Sequence, residues 1–350
     1  MRADLRRAWR ALRARPALTL GLLLTLALGV GANAAMLGAL DALLLRPPAG
    51  VRDAGGVVRA YVRQRPGGSP QGVLGYPFFD AARRNARTLA GAAAVWTVGD
   101  VPVGAGAAAT PVPARAVSGE FFGLLGARPA AGRLLGPADD APGAPFPAVV
   151  LGYGYWRRAF GGDPAVVGRV LPVGPLRARV VGVASPGFAG VDYARVDLWL
   201  PMAAAVPAFY FDGAFTSSGS YWLNVIARPR AGVPAARVAA DLTAAYRAQA
   251  LAARSEVPPD AQRATVVTGP LQEAAGPAGD TTRRLPLWLA AMSGALLLAA
   301  ASNATGLLLA RGLERRRETA VRLALGAAGR HLARAAAAEG AVLAVAAGLL

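Results

Sequence analysis

ALTLGLLLTLALGVGANAAMLGALDALLL, residues 17–45, carries only Thr19, Thr25, Asn33 and Asp41 as polar side chains. LPLWLAAMSGALLLAAASNATGLLLA, residues 285–310, carries only Ser293, Ser302, Asn303 and Thr305. Each run exceeds the roughly 20 residues that cross a bilayer core, so both are predicted to be membrane helices. The hydrophobic content of 54% and the mean hydropathy of +0.37 agree with a chain that lies partly in lipid. Residues 46–284 separate the runs and are numerous enough to bury a core of their own. The fold class predicted is a membrane protein with α-helical transmembrane segments and a large mixed α/β domain inserted between the first and second helices.

The net charge of +18 would suggest nucleic acid in a soluble protein, and its distribution excludes that partner. Every basic residue except His331 is arginine. Residues 1–16 and 311–334 hold thirteen Arg against Asp4, Glu314 and Glu318, whereas the far longer segment 46–284 holds twenty-five Arg against fifteen acids. Arginine concentrated next to membrane ends marks the cytoplasmic side, so both flanks are expected in the cytoplasm and 46–284 outside. The absence of lysine matches GC-rich coding and needs no functional cause.

Leu5, Ala8, Trp9 and Leu12 fall on one face of a helix and Arg6, Arg7, Arg10 and Arg13 around the other, which predicts an interfacial cytoplasmic helix over 1–16 touching membrane lipid. Ala32-Asn33-Ala34 satisfies a signal-peptidase pattern, but the apolar run continues to Leu45, so the helix is read as uncleaved. Within it Gly29, Gly31 and Ala32 form a small-residue patch that lets another helix approach, and Asn33 can hydrogen-bond across that contact. Asn303 and Gly306 give the second span a similar patch. Asp41 lies about four residues inside the outer end, near interfacial water.

From Val51 the chain alternates β-branched runs with Gly and Pro turns, which predicts mixed α and β structure. Val57 to Arg63 and Arg179 to Val183 read as strands. Tyr76 to Arg84, Gly152 to Phe160 and Ala235 to Ala250 read as helices, the last with Val238, Leu242 and Tyr246 on one face. Gly162-Asp163-Pro164 reads as a turn, Phe121 and Phe122 as core, and Asp139-Asp140 as part of a solvated loop.

Catalytic chemistry finds no purchase. The single histidine, His331, lies in the expected cytoplasmic loop, so the outer domain can build neither a Ser-His-Asp triad nor a histidine zinc site, and without cysteine it has no disulfide. Without lysine there is no Walker A motif, so no ATP hydrolysis is expected of this chain. Gly152-Tyr153-Gly154 does not extend to a dinucleotide fingerprint, and the Asn303-Ala304-Thr305 sequon lies inside an apolar span. No catalytic residue, bound metal or bound cofactor is expected.

Residues 311–334, RGLERRRETAVRLALGAAGRHLAR, follow the second apolar run. Glu318 and Arg322 are four apart in the orientation that favours an intrahelical pair, Ala320, Val321, Ala324 and Leu325 supply apolar surface, and Gly326 ends the helix. Such a helix can dock in a groove. Residues 335–350 turn apolar again and are expected to begin a third membrane helix, which makes this chain a fragment.

Several of these stretches resemble one family. Glu314-Arg315-Arg316-Arg317-Glu318-Thr319-Ala320-Val321-Arg322-Leu323-Ala324-Leu325-Gly326-Ala327 resembles the cytoplasmic loop of FtsX-type and MacB-type ABC transporter permeases. Thr25-Leu26-Ala27-Leu28-Gly29-Val30-Gly31-Ala32-Asn33 and Asp41-Ala42-Leu43-Leu44-Leu45-Arg46-Pro47 resemble the first span of a MacB-like subfamily. Ser302-Asn303-Ala304-Thr305-Gly306 resembles the second, with Ala301 and Ser302 where the family often has cysteine. Three outer blocks are similar to the MacB-type periplasmic core domain: Val117 to Phe122 with Leu125 to Pro129, Trp156 to Pro164, and Val180 to Ala184.

The resemblance implies a bacterial inner-membrane permease subunit with a two-lobed periplasmic domain, one lobe from residues near 51–95 and 222–268 and the other from the insertion between them. It implies that the 311–334 helix, through Glu318, Val321, Arg322, Leu325 and Gly326, meets an ABC ATPase subunit that carries ATP and Mg. Further implied partners are a second copy or a second permease half, and a periplasmic adaptor. The work implied is mechanotransmission serving efflux of antibiotics, peptides or lipid-linked substrates, lipoprotein release or cell-wall hydrolase control. The alternative from another class is a two-span sensor with a periplasmic ligand-binding domain, which should continue into a kinase or coiled coil rather than into more membrane.

Overall fold

The computed structural model describes residues 16–41, 46–106, 109–143, 146–192, 194–211, 213–253, 263–272, 276–277, 280–314 and 320–321. Two compact units emerge, Leu43–Arg283 on the one hand and Met1–Ala42 with Arg284–Leu350 on the other. The expected interfacial helix over 1–16 and the third-helix segment 335–350 lie outside the described residues, Pro16 excepted.

Helix α1 (Pro16–Leu40) opens the described chain. The outer domain then runs β1 (Val58–Arg63), α2 (Tyr76–Asn85), β2 (Leu89–Val103), β3 (Thr110–Val117), α3 (Phe121–Leu125) and β4 (Pro129–Gly132). It continues as β5 (Ala148–Leu151), α4 (Tyr153–Phe160), β6 (Val170–Val173), β7 (Leu176–Ala184), β8 (Leu198–Pro201) and α5 (Met202–Phe209). Last come β9 (Asn224–Pro229), α6 (Ala235–Ala252), β10 (Thr265–Pro270) and the long helix α7 (Asp280–Glu314). The strands and helices expected from the sequence fall within a few residues of these bounds.

Stretches Thr19–Met36 of α1 and Leu287–Gly306 of α7 are long and apolar enough to cross a membrane, and almost none of either is covered by protein. Leu20, Leu24 and Leu28 on α1 and Leu287, Trp288 and Leu298 on α7 stand exposed, the surface that lipid would cover.

All ten strands belong to one mixed sheet ordered β10-β1-β9-β2-β3-β8-β5-β7-β4, with β6 pairing both β2 and β7. Strands from both expected lobes therefore share a single sheet. The path through β2, β3, β8, β5, β7 and β6 returns to β2, so six strands form a closed ring. Its seam is short. Val103 of β2 meets Val173 of β6, flanked by hydrogen bonds from Gly174 N to Pro102 O (2.7 Å) and from Gly104 N to Pro172 O (3.1 Å).

The twofold alternation of strand side chains sorts the sheet between two cores. Ala92, Ala94 and Trp96 of β2, Ala114 and Ala116 of β3, and Leu198 and Leu200 of β8 face one core. Phe78, Phe79 and Ala82 of α2 and Val238, Leu242 and Tyr246 of α6 cover it. Ala93, Val95, Val117 and Trp199 face the other, against Phe121, Phe122 and Leu125 of α3. There Phe121, Phe122 and Phe188 surround Trp199 at ring-centre distances of 5.4, 5.7 and 5.6 Å. Both helical layers follow from local sequence: α2 has Pro77 in its first turn and Arg83 and Arg84 in its last, where cations suit the helix dipole, and α6 repeats buried side chains at one-turn intervals.

One glycine is required by packing between strands. A Cβ on Gly182 of β7 would meet the carbonyl oxygens of Arg133 and Ala131, so the chain after β4 can cross β7 only at a residue without a side chain.

Residues 46–284 purified without the two apolar helices are expected to unfold in one cooperative transition and to give a mixed α/β circular dichroism spectrum, because both cores lie within that stretch. Absence of a transition in a thermal melt would contradict the two-core description.

Candidate functional site

Two features of the described residues stand out: the contact between the two apolar helices and the charged ties of the outer domain. Gly21, Thr25, Gly29 and Asn33 recur every four residues along α1, the spacing of a single ridge. Gly29 and Asn33 are buried, and a Cβ added at Gly29 would come within 2.7 Å of the Ala300 Cβ on α7. Backbones approach here because neither position carries more than a methyl group. One turn away the Thr25 hydroxyl donates to Gly21 O at 2.8 Å and accepts from the Asn303 amide nitrogen at 3.2 Å.

The residues singled out in the sequence divide accordingly. Gly29 sits in the contact, whereas Cβ atoms built at Gly31 and Gly306 meet nothing within 4 Å. The bond across the helices joins Asn303 to Thr25 rather than involving Asn33, whose amide nitrogen donates to Gly29 O in its own helix at 3.0 Å. Asn33 Oδ1 is buried without a partner among the described residues. Val321 is helical and exposed. Glu318, Arg322, Leu325 and Gly326 lie outside the described residues. Thr25 and Ala300 were missed in the sequence. The four-residue repeat of small side chains beginning at Gly21 is the signal that could have found Thr25.

In the outer domain acids are shared between arginines. Arg59 on β1, fully buried, donates to Asp192 Oδ1 at 2.7 Å, and Arg115 on β3 donates to Oδ2 of the same carboxylate at 2.9 Å. Both arginines alternate with residues of the first core, so their side chains fall on the α3 face, where they anchor the loop after β7. Asp197, four residues before the end of β8, takes Arg158 at 3.0 Å and also pairs with Arg195. Pairing is what makes burial of such charge tolerable, since an isolated buried ion would cost several kcal/mol.

The expected solvated pair Asp139-Asp140 requires correction. Asp139 is held by Arg133 at 2.6 and 2.7 Å, and that guanidinium, with help from Gly136 N–H, keeps its carboxyl below the usual range. Asp140 turns inward, accepting from Ala203 N at 2.8 Å and Gly119 N at 3.2 Å. Burial outweighs these two bonds and pushes its carboxyl up to about 6. A loop rich in Gly and Pro hid this, because composition does not reveal which of two adjacent carboxylates folds under.

Two tests follow from this geometry. Gly29→Val should separate α1 from α7 and cost about 1–3 kcal/mol, the usual penalty of overpacking, while Gly31→Ala leaves detergent-solubilised thermal stability unchanged. Equal effects at both positions would remove the helix contact. For Asp140, the folded state holds its proton to about pH 6 against 3.8 in the unfolded chain. Its contribution to stability is therefore full below pH 3.8 and is lost as pH rises towards 6, by up to about 3 kcal/mol at roughly 1.36 kcal/mol per unit. Urea unfolding of wild type and Asp140→Asn from pH 4 to 7 should show a stability difference that changes across this window and is level above it; a difference independent of pH would place Asp140 in water.

Among solved structures, a domain of a permease protein from Porphyromonas gingivalis aligns at 13% identity and TM-score 0.47, covering 63% of this chain and 92% of that one. The extracellular domain of the noncanonic ABC-type transporter YknZ from Gram-positive bacteria aligns at 11% identity and TM-score 0.43, covering 61% and 98%. The periplasmic region of MacB from Actinobacillus actinomycetemcomitans gives 14% identity and TM-score 0.43, covering 58% and 87%. No curated protein matches the sequence. A profile of the MacB-like periplasmic core domain matches residues 19–245, from inside α1 to the middle of α6 and well over half of the chain. On that match the chain belongs to the MacB-like periplasmic core domain family.

Proposed function

We propose that this chain is a permease subunit of a type VII-like ABC transporter that works by mechanotransmission. ATP-driven closure of partner ATPase subunits moves the membrane helices and reshapes the periplasmic domain, and substrate need not pass through the permease itself. The observation that carries this reading is the family match, which takes in an apolar helix and the outer domain as one continuous stretch. Support comes also from the second apolar helix beyond the domain and from the arginine-rich 311–334 segment, whose sequence resembles the ATPase-coupling loop of FtsX-type permeases.

With the domain periplasmic, the ends of α1 and α7 remote from it fall in the cytoplasm of an inner-membrane protein, and arginine density at both ends agrees. The ATPase would hold ATP and Mg, and a second copy or second permease half would complete the membrane unit. An adaptor is a further partner on the periplasmic side, and the domain divides functionally into the two lobes described above. Efflux of antibiotics, peptides or lipid-linked substrates is the work proposed. The chain itself is read as non-enzymatic, since it lacks the lysine of a Walker A motif and has a single histidine.

Arg322→Glu in the full-length protein should lower ATPase co-purification and stimulated ATP hydrolysis by about tenfold, the effect of roughly 1.4 kcal/mol, and leave membrane insertion intact. Unchanged coupling would count against the 311–334 contact.

A further inference from the structure

Beside the first turn of α5 lies an open cleft of about 330 Å³, walled by Pro147, Pro175, Leu176, Ala203 and Ala204, with Arg177 and Asp139 as the charged residues of its lining. That volume is in the range that takes small molecules, and a few charged groups among apolar walls are what orient them. The walls are held from behind. The turn that brings in Pro175 packs on α5, where a Cβ on Gly174 would come within 2.6 Å of the Phe209 ring. At the other end of that helix Asp140 takes the Ala203 amide at 2.8 Å.

Arg177 has a companion. Strand alternation puts Arg177 and Arg179 of β7 on one face, and both are exposed. The exposed ring of Phe146 serves the two together: the guanidinium carbon of Arg177 lies 5.7 Å from its centre and that of Arg179 5.5 Å. Stacking on a ring holds a guanidinium in place and leaves its N–H donors available. Among the described residues no carboxylate pairs with either arginine, and the acids nearby are taken. Arg133 occupies both oxygens of Asp139, and Asp140 turns inward to Ala203 N and Gly119 N. Glu120 is held by Arg83, and Asp163 by Arg169.

We propose that this cleft binds a small amphipathic carboxylate, its anionic head against Arg177 and its apolar body against Pro175, Leu176 and Ala204. Arg179, on the same ring, adds its charge to that of Arg177, and the guanidinium fork matches the two oxygens of a carboxylate. Asp139 on the same wall limits the charge the cleft accepts, because repulsion from it grows with each further negative charge on the ligand and disfavours a dianionic phosphate. A bare anion would leave the apolar walls in water, and an uncharged apolar compound would leave the arginines without a partner. The inference stands apart from the ATPase-coupling reading, since it uses only residues of the outer domain and its test involves no ATPase.

Fluorine NMR of 4-fluorophenylacetate, titrated with the full chain in neutral detergent, reads binding directly, and variants in the same micelles give the background from partition into detergent. The wild-type chain should shift and broaden the signal saturably, and less as salt rises. The uncharged 4-fluorobenzyl alcohol and the ringless fluoroacetate should each bind at least about fivefold more weakly. Arg177→Gln with Arg179→Gln, both exposed, should weaken 4-fluorophenylacetate about five- to tenfold. Ala204→Phe, which fills the apolar wall and keeps both arginines, should weaken it at least as much. A signal change equal in wild type and both variants is partition into the micelle and would overturn the proposal, as would no saturable change at millimolar protein. Equal binding of the alcohol would remove the charge from recognition, and equal binding of fluoroacetate, indifferent to Ala204→Phe, would remove the cleft. Displacement of 4-fluorophenylacetate by equimolar inorganic phosphate would reassign the arginines to phosphate groups.

Discussion

Strand β2 is the element on which the outer domain depends. At about 3.3 Å per residue its fifteen residues run some 50 Å, long enough to serve three neighbours in turn. Its first part is laddered to β9, its later part to β3, and its last residue reaches β6 and closes the ring. Between these duties the register shifts at Thr97 to Gly99, where Gly99 takes a φ of 97°. A bulge of this kind adds twist, which lets one strand lie flat in the β10-β1-β9 ribbon and then curl into the ring. The halves of the domain are thus joined by continuous backbone hydrogen bonding, and relative motion between them would have to pass through that bulge.

The second constraint is electrical. With arginine in excess over acids, neutral pairs cannot be made one to one, and three acids of the domain instead each take two arginines. Asp192 serves Arg59 and Arg115, Asp197 serves Arg158 and Arg195, and Asp80 serves Arg83 and Arg84. The guanidinium suits this arrangement because its planar fork presents several donors and is more weakly hydrated than an ammonium. Asp192 and Asp197 both lie between β7 and β8, so the sharing also pins that long connection to the sheet. Arginines that find no acid to share, such as Arg177 and Arg179, are left for solvent or a ligand.

The sequence showed elements whose two faces differ. Helix α6 displays Val238, Leu242 and Tyr246 at one-turn spacing, and α2 opens with proline and closes with arginine, so both were readable. Strand β1 was readable as a strand but not in its burial, because Arg59 is fully covered although its residue type marks a solvent face. Only the tertiary arrival of Asp192, 133 residues later, makes that position tolerable. Asp140 failed for the same reason, since its donors are distant in sequence: Gly119 in the turn before α3 and Ala203 in the first turn of α5. In the two apolar helices small residues announced a contact but not its register: Gly29 lies in it, and Gly31, two residues on, has turned away by about 200° at 100° per residue.

The two kinds of packing differ in what would be needed to change them. The outer domain rests on two apolar cores and buried ion pairs, whose disruption exposes surface to water and leaves charge unpaired. Between α1 and α7 the described residues show a close approach at Gly29 and a hydrogen bond from Asn303, and for two such helices in lipid no hydrophobic drive would hold them together, because acyl chains are as apolar as leucine. Interhelical hydrogen bonds in membranes average only about 0.6 kcal/mol, so the pair can shift at small cost. The contact between the two apolar helices can therefore yield at an energy that leaves the two cores and the buried ion pairs of the outer domain intact.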